Sequence, residues 1–242
     1  MIQVNETLRT IGQEKMIASI KSPKQLEKFL QSDVTTTFLM MGTLSTLDRY
    51  VAHLKRENRT VFLHAERING ISLDRDGIDY LAKRVGADGI VTTKASVIQH
   101  AKRAGLMTVQ RLFLVDSDAI SSGIKMAKDQ QPDALELMPG LIPSVIEHVA
   151  EHVSLPIVTG GMIRKPIHVH EALSHGAFAV STGDERLWAS QGMAEHVSLP
   201  IVTGGMIRKP IHVHEALSHG AFAVSTGDER LWASQGMKED IL

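Results

Sequence analysis

The feature that most constrains this 242-residue chain is a repeat: Ala150 to Met193 recurs without one change as Ala194 to Met237, 44 residues further on. The block runs LPIVTGG, MIRKPIHVHEALSHG, AFAVSTG, DERLWASQGM, which reads as strand, helix, strand, helix, so each copy is two consecutive β/α units. Each strand is a short apolar run ending in a small-residue turn, Thr159-Gly160-Gly161 after the first and Ser181-Thr182-Gly183 after the second. Glycines let backbone N–H groups approach an anion closely, and a following helix N-terminus adds partial positive charge. Two such turns in adjacent units have the form of the phosphate site of a (β/α)8 barrel, which is built on the loops after strands seven and eight. Repeats that meet different structural demands diverge. These have not, so the duplication is recent or made by design, and it was added to a chain already able to fold. Subtracting one 44-residue copy from 242 leaves 198 residues, near the short end of the barrel range.

The rest of the chain repeats the same unit. After a short helix over residues 5–14, apolar strands start near residues 16, 36, 60, 89, 107, 134, 156 and 177, each followed by an amphipathic helix. The third strand is read as Thr60 to Glu66, the fifth as MTVQR, and the sixth as ALELM. Ser22-Pro23 and Asp74 open helices as caps, and the glycine ending GIDYLAKRVG closes one. Near-continuous apolar strands alternating with helices imply parallel strands covered on their outer face. Eight units favour a closed barrel over an open doubly wound sheet, whose first turn would be glycine-rich; here it is Lys21-Ser22-Pro23. The expected organisation is an α/β fold, a (β/α)8 TIM-type barrel over residues 1–193. Residues 194–237 are its appended tandem copy, excluded from the barrel or swapped into another molecule's, and 238–242 are a C-terminal tail.

Composition narrows the function classes. Hydrophobic residues at 43% supply a sizeable core, and a formal net charge of −1 offers no global attraction to nucleic acid or an anionic membrane. The absence of cysteine removes disulfides, thiolate metal sites and a thiol nucleophile. No apolar run approaches the ~20 residues needed to span a bilayer, and MIQVNETLRTIGQEK lacks a signal-peptide core. A cytoplasmic protein is expected.

Functional groups of such a barrel lie at the carboxyl ends of its strands. Those ends offer Lys21, Gly42, Thr43, His64, Glu66, Thr92, Thr93, Lys94, Gln110, Arg111 and Glu136, besides the two glycine turns. His64 and Glu66, two apart on one strand, point the same way and are either used or held in a buried ion pair with Lys94 or Arg111. Lys94 and Arg111 suit a phosphate clamp, although an arginine there also serves as the structural partner of a carboxylate such as Glu136. Gly160-Gly161, for its part, is equally compatible with mere tight strand-to-helix packing. His168 and His170 are not a metal pair, because residues two apart on a helix do not share a face.

Several segments carry a specific resemblance: VFLHAERINGIS, DGIVTTKASVIQHAK, VQRLFLVDS, PDALELMPGLIP, IVTGGMI and AFAVSTGDERLW. In order and spacing they resemble the glycerol uptake operon antiterminator regulatory proteins over most of residues 15–193. The resemblance implies a barrel that senses glycerol 3-phosphate and, when loaded, acts on the leader mRNA of glycerol-utilisation genes to prevent early termination. Carried over by position, Thr159, Gly160, Gly161, Ser181, Thr182 and Gly183 face the phosphate, while His64, Lys94, Arg111, Glu136 and Pro139 lie in the other shared motifs. Glu66 and Arg67 depart from the family pattern of an aspartate followed by an apolar residue, and the family lacks the duplication. Lys55, Arg56, Arg59, Lys83, Arg84, Arg164 and Lys165 are the cations available for RNA, each equally readable as part of a solvated face. A homodimer, including one made by exchanging the duplicated segment, is compatible with this reading, and no cofactor is expected. The competing reading is a TIM-barrel enzyme such as a glycerophosphodiester hydrolase, with a divalent ion on Glu66 and Glu136, Asp116 in reserve, and His64 as acid or base. Two or three carboxylates are few for such a centre, so a bound metal is not expected.

Overall fold

The computed structural model describes residues 2–189, with side chains from residue 6 onward, and the backbone of residues 202–203 and 223–224. It divides into two units, Met1–Met193 and Ala194–Leu242.

In the first unit eight parallel strands close on themselves in chain order: β1 (Met16–Ile20), β2 (Thr36–Leu39), β3 (Thr60–His64), β4 (Gly89–Thr92), β5 (Met107–Phe113), β6 (Ala134–Met138), β7 (Ile157–Gly160) and β8 (Ala179–Thr182). Closure is the parallel pairing of β1 with β8, Met16 opposite Val180 and Ala18 opposite Thr182. The chain therefore forms a (β/α)8 barrel whose last two strands come from the first copy of the duplicated block. Around it run α2 (Pro23–Leu30), α3 (Leu47–Arg56), α4 (Arg75–Tyr80), α5 (Ala95–Arg103), α6 (Ser117–Gln130), α7 (Pro143–His152) and α8 (Pro166–Ser174), after an N-terminal α1 (Ile2–Glu14).

Local chemistry explains the boundaries. Ser22, Asp74 and Asp116 accept from the amides of Gln25, Gly77 and Ala119 respectively, each meeting one orphan donor of a helix start. Beyond α4 one wider turn runs to Val85, and Gly86 then stops the helix with φ +75°, a left-handed conformation in which a side chain is strained. The barrel is filled by Ile17, Phe38, Phe62, Val91, Val109, Ala134, Val158 and Ala179, one inward layer drawn from every strand. Ile11 and Leu8 of α1 pack on the same cluster and plug its amino-terminal end, so the barrel interior opens toward its carboxyl end. A second shell, including Leu39, Leu63, Ile90 and Val180, lies between strands and helices.

Four expectations from the sequence change. β3 ends at His64, and Ala65–Arg67 form a 3-10 turn, so Glu66 is not a strand residue. β5 continues to Phe113, because Leu112 finds an apolar slot against α6 and β6. The stretch after β8 forms a 3-10 turn at Glu185–Leu187 within the described residues. Arg59 is not part of a solvated face: its guanidinium donates to the carbonyls of Leu30, Ser32 and Val34 and lies over the Phe29 ring.

In the second unit β9 (Val202–Thr203) pairs in parallel with β10 (Ala223–Val224), Val202 opposite Ala223 and Thr203 opposite Val224. This is the register that Val158 and Thr159 keep with Ala179 and Val180 in the first copy. No helix among the described residues is long and apolar enough to cross a membrane.

Candidate ligand site at the barrel mouth

The loops after β7 and β8 line one pocket of about 640 Å³ at the carboxyl end of the barrel. Its wall contains Gly161, Met162, Ile163 and Arg164 after β7 and Ser181 through Arg186 at and after the end of β8, with Ser19 of β1, Lys21 just beyond it, Gln25 of α2, Met40 and Met138 completing it. The two turns are tied to each other and to β1. Thr182 donates its hydroxyl to the Ile163 carbonyl at 2.8 Å and accepts from the Asp184 amide at 3.0 Å. Gln25 donates to the Gly183 carbonyl at 3.0 Å while its own carbonyl oxygen accepts from the Lys21 amide at 2.9 Å. The Trp188 indole also donates to the Thr182 carbonyl. These bonds join the β7 loop, the β8 loop and the segment after β1 into one frame around the pocket.

Each glycine has its own reason. A Cβ on Gly160 would lie 2.3 Å from the Ser181 Oγ and 2.7 Å from the Glu136 Oε1, so Gly160 is required by close packing beneath the pocket. Gly161 has φ +75° and turns the chain into the lining. Met162 follows with φ +63°, a conformation costing a non-glycine residue of order 1 kcal/mol or more, and its side chain is 64% exposed at the mouth.

Beneath the pocket lies a buried polar chain. The Arg111 Nε donates to Glu136 Oε2 at 2.6 Å, and the Ser181 hydroxyl donates to Glu136 Oε1 at 2.6 Å. Glu136 is fully buried and Arg111 is 5% exposed, and neither lines the pocket. Arg111 therefore sits as the structural partner of Glu136, with one guanidinium nitrogen, Nη2, left unpartnered. On the β3–β4 side, the Glu66 Oε1 accepts from the Thr92 hydroxyl and from the Thr93 amide and hydroxyl. Its Oε2 lies 3.2 Å from the His64 Nδ1, without the alignment of a hydrogen bond. Burial pushes the Glu66 carboxyl up, but His64, the Thr92 hydroxyl and the Thr93 amide together hold it well below its ordinary value. His64 and Glu66 do meet, through a turn that follows the strand, and their partner is neither Lys94 nor Arg111.

The strand-end candidates thus separate. Gly161, Ser181, Thr182 and Gly183 reach the pocket, and Gly160 lies directly under it. Thr159 is fully buried with its hydroxyl unpartnered. It shares the outer face of β7 with Ile157, since alternate residues point to opposite sides. Lys94 is exposed at the start of α5, and Gln110 turns outward to the Met126 sulfur of α6. Lys21, Gln25, Arg164, Asp184 and Arg186 join the site. Lys21 is recognisable in the sequence as a strand end, whereas nothing local distinguishes Gln25, whose partner Gly183 is 158 residues away. Three cations and the acids Asp184 and Glu185 ring the pocket. Arg186 grips Asp184 by two hydrogen bonds of 2.9 and 2.6 Å and holds its carboxyl below the usual range, while Lys21 has no ion-pair partner among the described residues.

The carboxylates weighed for a hydrolytic metal centre each have protein partners. Glu136 is committed to Arg111 and Ser181, Asp116 caps α6, and Glu66 serves Thr92 and Thr93. His168 accepts from the Arg164 amide. Of the cations weighed for RNA, Lys55 and Lys83 are paired with Asp88 and Asp79, which leaves Arg56 and Arg84 at the amino-terminal end of the barrel and Arg164 and Lys165 beside the pocket.

With that geometry in place, similarity to known proteins is informative. The sequence model of the glycerol-3-phosphate responsive antiterminator family matches residues 16–188 and, a second time, residues 189–232. A crystal structure of the glycerol uptake operon antiterminator regulatory protein of Listeria monocytogenes is similar at 32% identity and a TM-score of 0.69, covering 72% of this chain and 94% of that one. A glycerol uptake operon antiterminator-related protein of Thermotoga maritima is similar at 27% identity and a TM-score of 0.64, covering 72% and 96% respectively. The uncharacterized protein YgcP of Escherichia coli K12 is 29% identical over 181 residues, 75% of this chain and 95% of its own.

Proposed function

Because the chain belongs to the glycerol-3-phosphate responsive antiterminator family, we propose that its mouth pocket binds glycerol 3-phosphate and that the loaded protein acts on a leader mRNA. The observation that carries this reading is the convergence of the β7 and β8 loops on one pocket, with Lys21 beside them as a cation that has no ion-pair partner among the described residues. The phosphate sits between the Gly161–Arg164 segment and Ser181–Gly183, where backbone groups approach closely and Lys21 supplies the counter-charge. The glycerol hydroxyls face Ser19 and Ser181, with Glu136 and Arg111 holding Ser181 in place.

Arg164 lines the pocket and Lys165 follows it, both exposed. A phosphate held against this segment lies beside both cations and fixes how they are presented, which couples the sensor to RNA. Coupling of binding equilibria is reciprocal: RNA must tighten glycerol 3-phosphate by the same factor as glycerol 3-phosphate tightens RNA. In this reading the activity is regulatory rather than catalytic, which the family supports; Glu136 is held by Arg111 and Ser181 and Asp116 caps α6. The second copy of the block stands outside the barrel in this reading, because strand number and shear are fixed together and ten strands would need a wider interior than these side chains fill.

Calorimetric titration with glycerol 3-phosphate, paired with fluorescence anisotropy on a labelled leader RNA, tests the proposal. Saturable ligand binding that strengthens RNA binding, both lost in Lys21→Ala plus Gly183→Val, is expected. RNA affinity indifferent to the ligand would remove the sensor role. Steady Mg2+-dependent hydrolysis of a glycerophosphodiester that disappears in Glu66→Gln would replace the regulator by an enzyme.

A further inference from the structure

Far from the mouth, on the outer surface of α7, His148, Glu151 and His152 bring their ligand atoms within 4.8 Å of one another. The spacing of three and four residues puts all three on one helix face. The His148 and His152 rings lie 4.4 Å apart, centroid to centroid. The Nδ1 of His152 is 2.7 Å from the His148 carbonyl. A carbonyl oxygen only accepts, so that nitrogen donates, and the neutral ring then has its lone pair on Nε2. This is the arrangement that fixes a metal-binding imidazole from behind. Neither His148 nor Glu151 spends a side-chain atom on another protein group among the described residues. All three lie in the last turns of α7, where the helix macrodipole favours a cation.

From this geometry we propose that α7 carries a surface site for a divalent transition metal of the zinc class, bound by His148, Glu151 and His152. Two imidazoles and one carboxylate without sulfur suit Zn2+, Ni2+ or Co2+ over Ca2+ or Mg2+, which prefer all-oxygen shells. Metal–ligand distances of about 2.0–2.2 Å require ligand atoms roughly 3.3 Å apart in a tetrahedron. Exposed side chains close from 4.8 Å to that separation by small rotamer changes. Water fills the remaining positions. The ion staples the final turns of α7, the helix that delivers the chain to β7 and the Gly160-Gly161 turn.

The duplication supplies an internal control. Glu151 and His152 recur as Glu195 and His196, but the repeated block starts at Ala150, and the position corresponding to His148 is Gly192. One tridentate site per chain is therefore expected, not two. Equilibrium dialysis of the full, metal-stripped chain against Zn2+ should show one saturable site, weakened at least tenfold by His148→Ala or His152→Ala and left intact by His168→Ala plus His170→Ala. The thermal midpoint should rise with Zn2+ in the parent protein and stay put in His148→Ala. Zn2+ binding that survives His148→Ala, or that is lost equally in the His168/His170 double variant, overturns the assignment. Glycerol 3-phosphate affinity measured without metal should be the same in His148→Ala, which separates failure of this site from failure of the pocket.

Discussion

Replacing Glu136 by leucine tests the buried chain under the pocket most directly. In the folded protein Glu136 is fully enclosed, bonded to Arg111 on β5 and Ser181 on β8, each at 2.6 Å. Glu136→Leu leaves the Arg111 guanidinium, 5% exposed, as an uncompensated charge and the Ser181 hydroxyl without its acceptor. Breaking one side of a buried pair costs about 3–5 kcal/mol, and an orphaned hydroxyl about 1–3. The two losses share one origin and do not simply add, so about 4 kcal/mol is expected. In a chain of this size each kcal/mol moves the midpoint by about 2–4 °C, so thermal unfolding followed by circular dichroism should show a drop of roughly 8–16 °C. The triple variant Arg111→Met, Glu136→Leu, Ser181→Ala removes the charge and hydroxyl that the single change strands, and should return to within about 2 kcal/mol of the parent, because the pair's attraction only offsets its own desolvation. That same variant should still bind glycerol 3-phosphate poorly, since Ser181 lines the pocket. A single variant that loses under 1 kcal/mol, or a triple that stays as unstable as the single, would show that this chain is not the polar keystone of the barrel mouth.

Lys21→Ala should weaken glycerol 3-phosphate by at least tenfold in a calorimetric titration, about 1.4 kcal/mol, while Lys94→Ala, exposed at the start of α5, should leave it unchanged; equal effects would place the phosphate elsewhere. Glu66 is held below its ordinary value of 4.5, so the stability it contributes is complete above that pH and is lost as the pH falls toward the lower folded value. Urea midpoints of the parent and Glu66→Gln should accordingly differ at pH 7 and converge on acidification, and a gap that widens at low pH would reverse the sign. Ile157→Gly empties a core position that is 2% exposed and should cost about 3–5 kcal/mol, whereas Ile201→Gly, the identical change in the second copy, should cost far less. The reverse order of melting temperatures would put the second copy in the barrel.

Much of this molecule is legible in its amino-acid order alone. Eight apolar runs at even spacing, each followed by a helix with its own start and stop, leave few arrangements other than parallel strands wrapped by helices, because local periodicity and capping act within a few residues of themselves. The two glycine turns are legible for the same reason: a small-residue turn at the end of a strand is a local signal. What a polar residue at a strand end does depends on which way the pleat faces once the barrel closes. That is why Thr159 and Gln110, adjacent in kind to Ser181 and Arg111, point outward while those two point in. Because β3 ends at His64 and not at Glu66, Glu66 falls in a turn and takes Thr92 and Thr93 as partners. Gln25 bonding to Gly183, and Arg111, Glu136 and Ser181 meeting from three strands, join residues 25 to 158 positions apart. No local pattern encodes such meetings, since they exist only because closure of the barrel brings the strand ends into one ring.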